Sequence, residues 1–358
     1  MVTTDTAPTV YAKFLKTEIL GEMGRLLFSL LNMFSVSGYH ISLFDSLPPE
    51  KLDKYGRLAR ELPRVTLTRA DPANPEEALY LFDDEDGRLS SSRWRKRVQV
   101  RFDVFAPYWF RRPLIMPYPV HPVHAGPDLQ ARLQADRARP KKMRVFFSGD
   151  REGYVSNRIR YPKPKLPRLE VINAVLEGMG ERARLVRGER ELADLTSAGY
   201  VDECLVMAQD GERIDTVRWL STLATADFFL CPPGYVMPMC HNTVEAMAVG
   251  AIPIINYPEW FTPRLVHLET CIAFDDRADL IAKLEHVLSM DATAIARMRE
   301  RVVAYYDEHL APEAFVRELE AIRRHKVVVL MITDANVSRN AAKLNARSVL
   351  MRSAGAPA

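Results

Sequence analysis

The sequence predicts an α/β protein with two doubly wound domains. Three observations carry that reading: a length of 358 residues, a strand–helix–strand opening, and a second half in which short apolar runs alternate with helix-length segments. At about 150 residues per domain, the length suits two domains or one large one, either able to bury a sizeable core. Apolar residues make up 47% of the chain and charged residues 27%, with a formal net charge of +3. That composition is globular and excludes a disordered chain, a collagen and a small disulfide scaffold. The near-neutral balance argues against a nucleic-acid partner, whose binders carry a basic surplus.

Val10 to Leu15 is a mixed apolar stretch read as the first strand, and Ile19 to Gly24 is a loop with two glycines. Arg25 to Ser35 places Leu26, Leu27, Leu30, Leu31 and Phe34 at helical spacing and ends near Gly38. His40 to Phe44 is a short buried strand, which completes a βαβ unit and implies a parallel sheet covered by helices. Val98, Val100, Phe102 and Val104 alternate with polar residues as in a strand. Ala106 to Pro127 is proline-rich and reads as loop and linker. Asp128 to Arg139 reads as a charged helix with Asp128 as N-cap and Pro140 as its stop.

In the second half, strands are expected at Met143–Ser148, Cys204–Ala208, Asp227–Cys231 and Ile252–Asn256. Helices are expected at Arg168–Gly178, Asp215–Thr225, Thr243–Val249, Ala278–Leu288, Ala292–Tyr306 and Glu313–Arg324. This alternation is that of a doubly wound sheet. Val327 to Ile332 reads either as an edge strand or as continued helix. The expected division is residues 1–140, residues 141–325, and a tail, 326–358, packing back on the first domain.

Cys204, Cys231, Cys240 and Cys271 form no CxxC pair and have no histidines at zinc-ligand spacing, so buried, reduced thiols are expected. Met1 to Val10 has neither the basic start nor the apolar stretch of a signal peptide. The runs Leu26–Phe34 and Val327–Ile332 are too short to span a bilayer. A cytoplasmic protein without a transmembrane segment is the expectation.

The most informative stretch runs from Asp227 to Asn256: a buried strand, a Pro/Gly loop, a helix and another buried strand. The loop lies at the carboxyl end of its strand, where open α/β sheets bind ligands. The helix N-terminus offers free N–H groups and a positive dipole end, suited to a diphosphate. Glu245 stands near that end, where it can meet the dipole or accept ribose hydroxyl hydrogen bonds, and Gly250 closes the helix. The same residues also read as plain capping, with Asn242 or Thr243 as the cap and Glu245 completing a capping box.

The run Leu230-Cys231-Pro232-Pro233-Gly234, with Glu245-Ala246, Gly250 and Ile252-Pro253-Ile254-Ile255, resembles the nucleotide-sugar half of GT-B glycosyltransferases, most of all the exostosin type. Phe146-Phe147-Ser148-Gly149 resembles that family's opening strand of the same domain, and the resemblance spans Arg144 to Tyr306. It implies two Rossmann-like domains facing a cleft, with donor bound in the second and acceptor in the first. It further implies metal-independent transfer from a UDP- or GDP-linked sugar to a hydroxyl acceptor, as in polysaccharide biosynthesis; the acceptor would be a glycan, a lipid-linked molecule or a small molecule. The implied donor contacts are Gly149, Arg158, Pro233, Gly234, His241, Asn242, Thr243 and Glu245. His241 stands where the family has arginine. Met237 stands eight positions before Glu245, where retaining members carry a second glutamate, which favours inversion.

An imidazole at a helix N-terminus can donate to a phosphate, or it can be satisfied by backbone. Arg151, Arg158, Arg160, Lys163 and Lys165 follow the Ser148-Gly149 strand end. Cations placed there would stabilise a departing diphosphate, and a guanidinium fork suits phosphate best. Alternatively, they form a solvated basic loop. The family offset singles out Arg158.

An inverting transferase needs a base for the acceptor hydroxyl. The loop Gly21-Glu22-Met23-Gly24-Arg25 ends the first strand, and its two glycines permit close approach of a ligand. It is not GxGxxG, so dinucleotide binding is unsupported. Glu22 is the first candidate base, followed by Asp45, Asp103, His121 and His124. The acidic run Asp83-Asp84-Glu85-Asp86-Gly87 contains Asp-x-Asp but reads as a turn, so no metal site is expected. Arg93-Trp94-Arg95-Lys96-Arg97, with Arg111 and Arg112, reads as a peripheral contact with an anionic membrane surface or as a solvated face. Two rival functions share these features: a nucleotide-sugar epimerase of the same shape and a non-catalytic nucleotide-sugar binding protein.

Overall fold

Strand β1 (Thr9–Lys13) leads into α1 (Arg25–Val36), β2 (His40–Phe44), α2 (Lys54–Arg60), β3 (Val65–Thr68), β4 (Ala78–Phe82), α3 (Gly87–Ser90), β5 (Lys96–Arg101) and β6 (Leu114–Ile115). Then come α4 (Leu129–Arg137), β7 (Met143–Gly149), α5 (Arg168–Gly178), β8 (Ala183–Leu185), α6 (Glu189–Ser197), β9 (Val201–Ala208), α7 (Thr216–Leu223) and β10 (Ala226–Cys231). The chain continues through α8 (His241–Ala248), β11 (Ile252–Ile255), β12 (Ile272–Ala273), α9 (Arg277–Ser289), α10 (Ala292–Tyr305), α11 (Pro312–Ala321) and β13 (Lys326–Leu330). This computed structural model describes residues 7–102, 113–151, 154–160, 163–208, 213–335 and 337.

Two compact units result, Met1–Pro127 with Ala311–Asn336, and Asp128–Leu310 with Val337–Ala358. Each is a parallel sheet with flanking helices, so the architecture is α/β with two Rossmann-like units, as the sequence predicts. The units divide at 127/128, 310/311 and 336/337, where the sequence reading placed 140/141 and 325/326, so the tail from 326 is shared between the units rather than assigned wholly to the first. The difference at 310/311 has a packing cause. Phe315, Val316 and Leu319 of α11 belong to the hydrophobic core built on α1, β1 and β4.

The first sheet runs β3-β2-β1-β4-β5-β13-β6, parallel throughout. The chain moves outward from β1 to β3, then crosses to β4, so the order reverses between β1 and β4. α1 forms because its apolar residues cover most of its circumference, and every residue from Leu26 to Ser35 is buried. Strand β13 is neither helix nor edge. It lies between β5 and β6, with Val328 opposite Gln99 and Val329 opposite Leu114. Its branched side chains suit a strand flanked on both sides, and Val327 and Val329 are fully buried.

The second sheet runs β12-β11-β10-β7-β9-β8, again parallel throughout. β8 and β9 lie on one side of β7 and β10 to β12 on the other, which puts the reversal between β7 and β10. All six residues of β10 are buried, as a central parallel strand requires. Asp128 makes no capping bond to α4. Its backbone is already helical there, and its carboxylate pairs with Arg132 at 3.1 Å instead. Among the described residues, no helix is long and apolar enough to cross a membrane.

Candidate functional site

In the second unit, the carboxyl ends of β7 and β10 meet at the point where strand order reverses, the place where open α/β sheets form a ligand crevice. Gly149 ends β7, opposite Ala208 of β9. Past Cys231 the chain enters Pro232, Pro233 and Gly234. The Gly234 N–H donates to the Pro238 carbonyl at 3.1 Å, closing a tight loop. A Cβ on Gly234 would collide with the Met237 carbonyl oxygen, so this turn admits only glycine.

Helix α8 leaves this loop with Cys240 as its N-cap, which makes no side-chain capping bond. Neither Asn242 nor Thr243 occupies the cap position, so the capping-box reading is replaced by an end without side-chain capping. Asn242 is half-buried, with Nδ2 3.5 Å from the Ser148 carbonyl, which ties the first turn of α8 to the end of β7. Thr243 is fully buried and shares a 2.9 Å hydrogen bond with the Tyr257 hydroxyl. His241 is buried in the same turn. Glu245 turns inward, and its Oε2 accepts a 2.6 Å hydrogen bond from Trp219 Nε1 of α7.

The cations expected to follow Gly149 separate into two groups. The Arg158 N–H donates to the Tyr235 carbonyl at 2.8 Å, and its exposed guanidinium lies 5.5 Å from the Tyr235 ring centroid, so Arg158 stands against the loop after β10. Asn157 holds this segment by donating to the Lys165 carbonyl at 2.9 Å. Arg151 is half-buried just past the end of β7. Arg160 donates to the carbonyls of Asn157 and Ile159. Lys163 pairs with Asp275 at 2.5 Å. Lys165 pairs with Glu259 at 2.6 Å in a buried contact, and burial pushes its ammonium pKa down while Glu259 opposes that shift. Sequence reading missed Arg168. It opens α5, lies 3.7 Å from the Tyr154 ring centroid and donates to the Asp150 carbonyl at 3.3 Å, beside the end of β7. In sequence it is one more helix-opening residue; only the fold brings it to the strand ends.

In the first unit, Glu22 follows β1 in a turn where Glu22, Met23 and Gly24 have φ of 56°, 60° and 80°. Left-handed backbone at two successive non-glycine residues stores strain, which collects at functional sites. A Cβ on Gly24 would collide with the backbone of Gly56, so α1 and α2 approach here through two glycines. Oε1 of Glu22 is buried with no hydrogen-bond partner among the described residues. Burial first, then the Asp334 carboxylate, raise the Glu22 pKa; Arg25 and the Asp334 N–H oppose them.

The other candidate bases are engaged. Asp45 is held by Arg60 at 3.0 Å and Arg69 at 3.1 Å. His121 Nδ1 accepts from the Val123 N–H at 3.3 Å and Nε2 lies 3.4 Å from the Tyr55 hydroxyl. Burial, with Arg25 and Lys54 nearby, pushes its pKa down to about 4, so the imidazole is neutral at physiological pH. His124 is buried with its ring 6.5 Å from that of His121. Asp103, Arg111 and Arg112 lie outside the described residues.

The acidic run is structural. Asp83 accepts from the N–H groups of Leu15 and Lys16, both at 2.8 Å, and so joins the ends of β1 and β4. Asp84 pairs with Lys16 at 3.0 Å, Glu85 with Arg97 at 2.6 Å, and Asp86 with Lys13 at 2.7 Å while it caps α3. Within the basic stretch, Arg93 is exposed, while its neighbours find partners inside the first unit. Trp94 is buried and stacks on Tyr80 with centroids 4.5 Å apart, Arg95 pairs with Glu320 at 2.7 Å, and Lys96 caps the end of α11 through the carbonyls of Leu319, Glu320 and Ile322.

No protein-family profile matches the chain, and no curated protein matches it significantly. Among solved structures, it is similar to a glycosyltransferase from Rickettsia africae ESF-5 at 8% identity, over 88% of this chain and 97% of that one, with a TM-score of 0.45. It is also similar to Anabaena HepE in complex with UDP, at 12% identity over 87% and 98% of the two chains, with a TM-score of 0.45. The N-terminal domain of Candida albicans trehalose-6-phosphate phosphatase is similar at 9% identity over 87% and 96%, with a TM-score of 0.46.

Proposed function

We propose that the protein is a glycosyltransferase of the exostosin type, moving a sugar from a nucleoside-diphosphate donor to a hydroxyl acceptor with inversion and without a metal. The observation that carries this reading is the N-terminus of α8. It has no side-chain cap at Cys240 and leaves a glycine loop at the reversal of the second sheet, with Arg158 and Arg168 beside the strand ends. The N–H groups and positive dipole end of such a helix terminus suit a diphosphate. The two guanidiniums supply fixed positive charge as the sugar–phosphate bond breaks and charge develops on the departing oxygen.

Contacts to the donor come from Gly149, Pro233, Gly234, Asn242 and Arg158, with His241 in the first turn. Thr243 and Glu245 act from behind, through Tyr257 and Trp219, to hold α8 in place. Glu22 of the first unit is the base. It takes the acceptor hydroxyl proton while that oxygen attacks the anomeric carbon opposite the departing UDP or GDP. A carboxyl whose pKa is raised and whose Oε1 lacks a partner suits that role. The four cysteines are free, in keeping with a reducing, cytoplasmic setting and a role in polysaccharide biosynthesis.

Isothermal titration with UDP, GDP, ADP and CDP tests the donor site. Binding of UDP or GDP is expected, and absence of binding by all four at millimolar concentration would overturn it. Incubation with donor alone separates the rival enzyme, since an epimerase converts the sugar without an acceptor.

A further inference from the structure

The helix layer of the first unit contains a cavity of about 490 Å3. It lies along the later turns of α1 and beside Gly38, just before β2 begins, and so toward the amino-terminal edge of the sheet rather than the carboxyl ends of its strands. Phe28, Asn32, Ser35 and Val36 line it from α1, at the spacing of one helix face. The opposite walls come from the end of α2 and the segment after it, from Pro122 to Pro127, and from Glu313 at the start of α11.

Asn32 is the informative residue. It stands among Leu30, Leu31, Met33 and Phe34 and is 5% exposed. Its side-chain amide has no hydrogen-bond partner among the described residues, and it lines the cavity. An amide at a core position of α1 that opens onto a cavity offers a donor and an acceptor to whatever occupies that space. Arg64 forms part of the rim in a left-handed conformation, φ 69°, with its guanidinium donating to the Gly38 carbonyl at 3.3 Å.

We propose that this cavity binds a neutral saccharide of one or two rings, at a site separate from the donor crevice. The volume is that of a small-molecule site, about 300–1,000 Å3. The polar side chains it offers a ligand are an amide, a carboxylate and a guanidinium: Asn32, Glu61 and Arg64. Each presents two adjacent donor or acceptor atoms, the arrangement that matches vicinal ring hydroxyls. The opposite charges of Glu61 and Arg64 offset one another, so the lining favours neither a free anion nor a cation. Proline and leucine walls, at Leu58, Leu62 and Pro122, suit the C–H face of a sugar ring. This inference stands on the first unit alone and does not depend on the transfer reaction.

The test is saturation-transfer NMR on the full chain with glucose, maltose and cellobiose, beside putrescine, inorganic phosphate and octanoate. At least one saccharide is expected to bind with a millimolar or lower dissociation constant, weakened about tenfold or more in Asn32→Leu and in Glu61→Ala. Asn32→Leu should also melt no lower than the parent chain, and Arg158→Ala should leave saccharide binding unchanged. Glu61 is exposed, so its variant decides the matter should Asn32→Leu fail to fold. The proposal is overturned if no saccharide binds, if binding survives both cavity substitutions, or if putrescine, phosphate or octanoate is the ligand those substitutions weaken.

Discussion

Trp219 Nε1 donates a 2.6 Å hydrogen bond to Oε2 of Glu245, with Trp219 9% exposed and Glu245 1% exposed. This contact fixes α8 against α7 and, through α8, the direction of the N–H groups at its N-terminus. Glu245→Ala leaves a buried indole N–H without an acceptor, at a cost of about 1–3 kcal/mol. Glu245→Gln keeps an acceptor and should cost less. Urea denaturation of the two variants measures the difference, and equal stabilities would remove the positioning role.

Glu22→Gln should lower sugar transfer about 100- to 10,000-fold, the usual contribution of a general base, and leave nucleotide affinity unchanged. The folded pKa of Glu22 lies above its ordinary value. A group shifted in that direction stabilises the fold below its unfolded pKa and loses that contribution as pH rises through the folded one. The glutamine variant should therefore be more stable than the parent at neutral pH and no more stable in acid. In the parent, transfer should fall as pH drops through the raised pKa. Denaturation curves and pH–rate profiles check both limbs.

Gly24 and Gly38 both have left-handed backbone, with φ of 80° and 87°. They differ in surroundings, since a Cβ at Gly24 meets Gly56 whereas one at Gly38 meets nothing within 4 Å. Gly38→Ala should cost only the backbone strain, about 1 kcal/mol. Gly24→Ala adds a collision between α1 and α2 and should cost clearly more. Equal melting temperatures for the two alanine variants would contradict the close approach.

Arg158 and Lys165 lie in one basic segment but predict opposite phenotypes. Arg158→Ala should raise KM for the nucleotide sugar about tenfold or more, through loss of a charge-assisted contact, with little change in melting temperature. Lys165→Met leaves Glu259 buried and unpaired, at a cost of about 3–5 kcal/mol. Steady-state kinetics beside thermal melts separate the two.

The bounds of β2 and α5 were legible because each is a short run with its own periodicity or stop signal. Strand β3 was not, since its residues are half-exposed or exposed and show no alternation. For β13, the branched run signals a strand but carries no information on its neighbours; placement between β5 and β6 is a long-range property. The loop after β10 was legible for the same reason as β10, a continuous apolar run broken by Pro and Gly. Trp219, Arg168 and Asn32 were not, because each matters through a partner or a space that only the fold supplies. A lone tryptophan in an amphipathic helix does carry one signal, since a buried indole N–H needs an acceptor.

The position of β13 also sets an order of events during synthesis. The stretch from Asp128 to Leu310 is continuous, so the second unit has its whole sheet before the ribosome reaches α11. The first unit, although made first, lacks a strand between β5 and β6 until Leu330 emerges. Its sheet waits with two open edges, which invite wrong pairing and aggregation. The sheet begun first is thus the last to be completed, and truncation just before β13 should harm the N-terminal sheet more than the sheet nearer the cut.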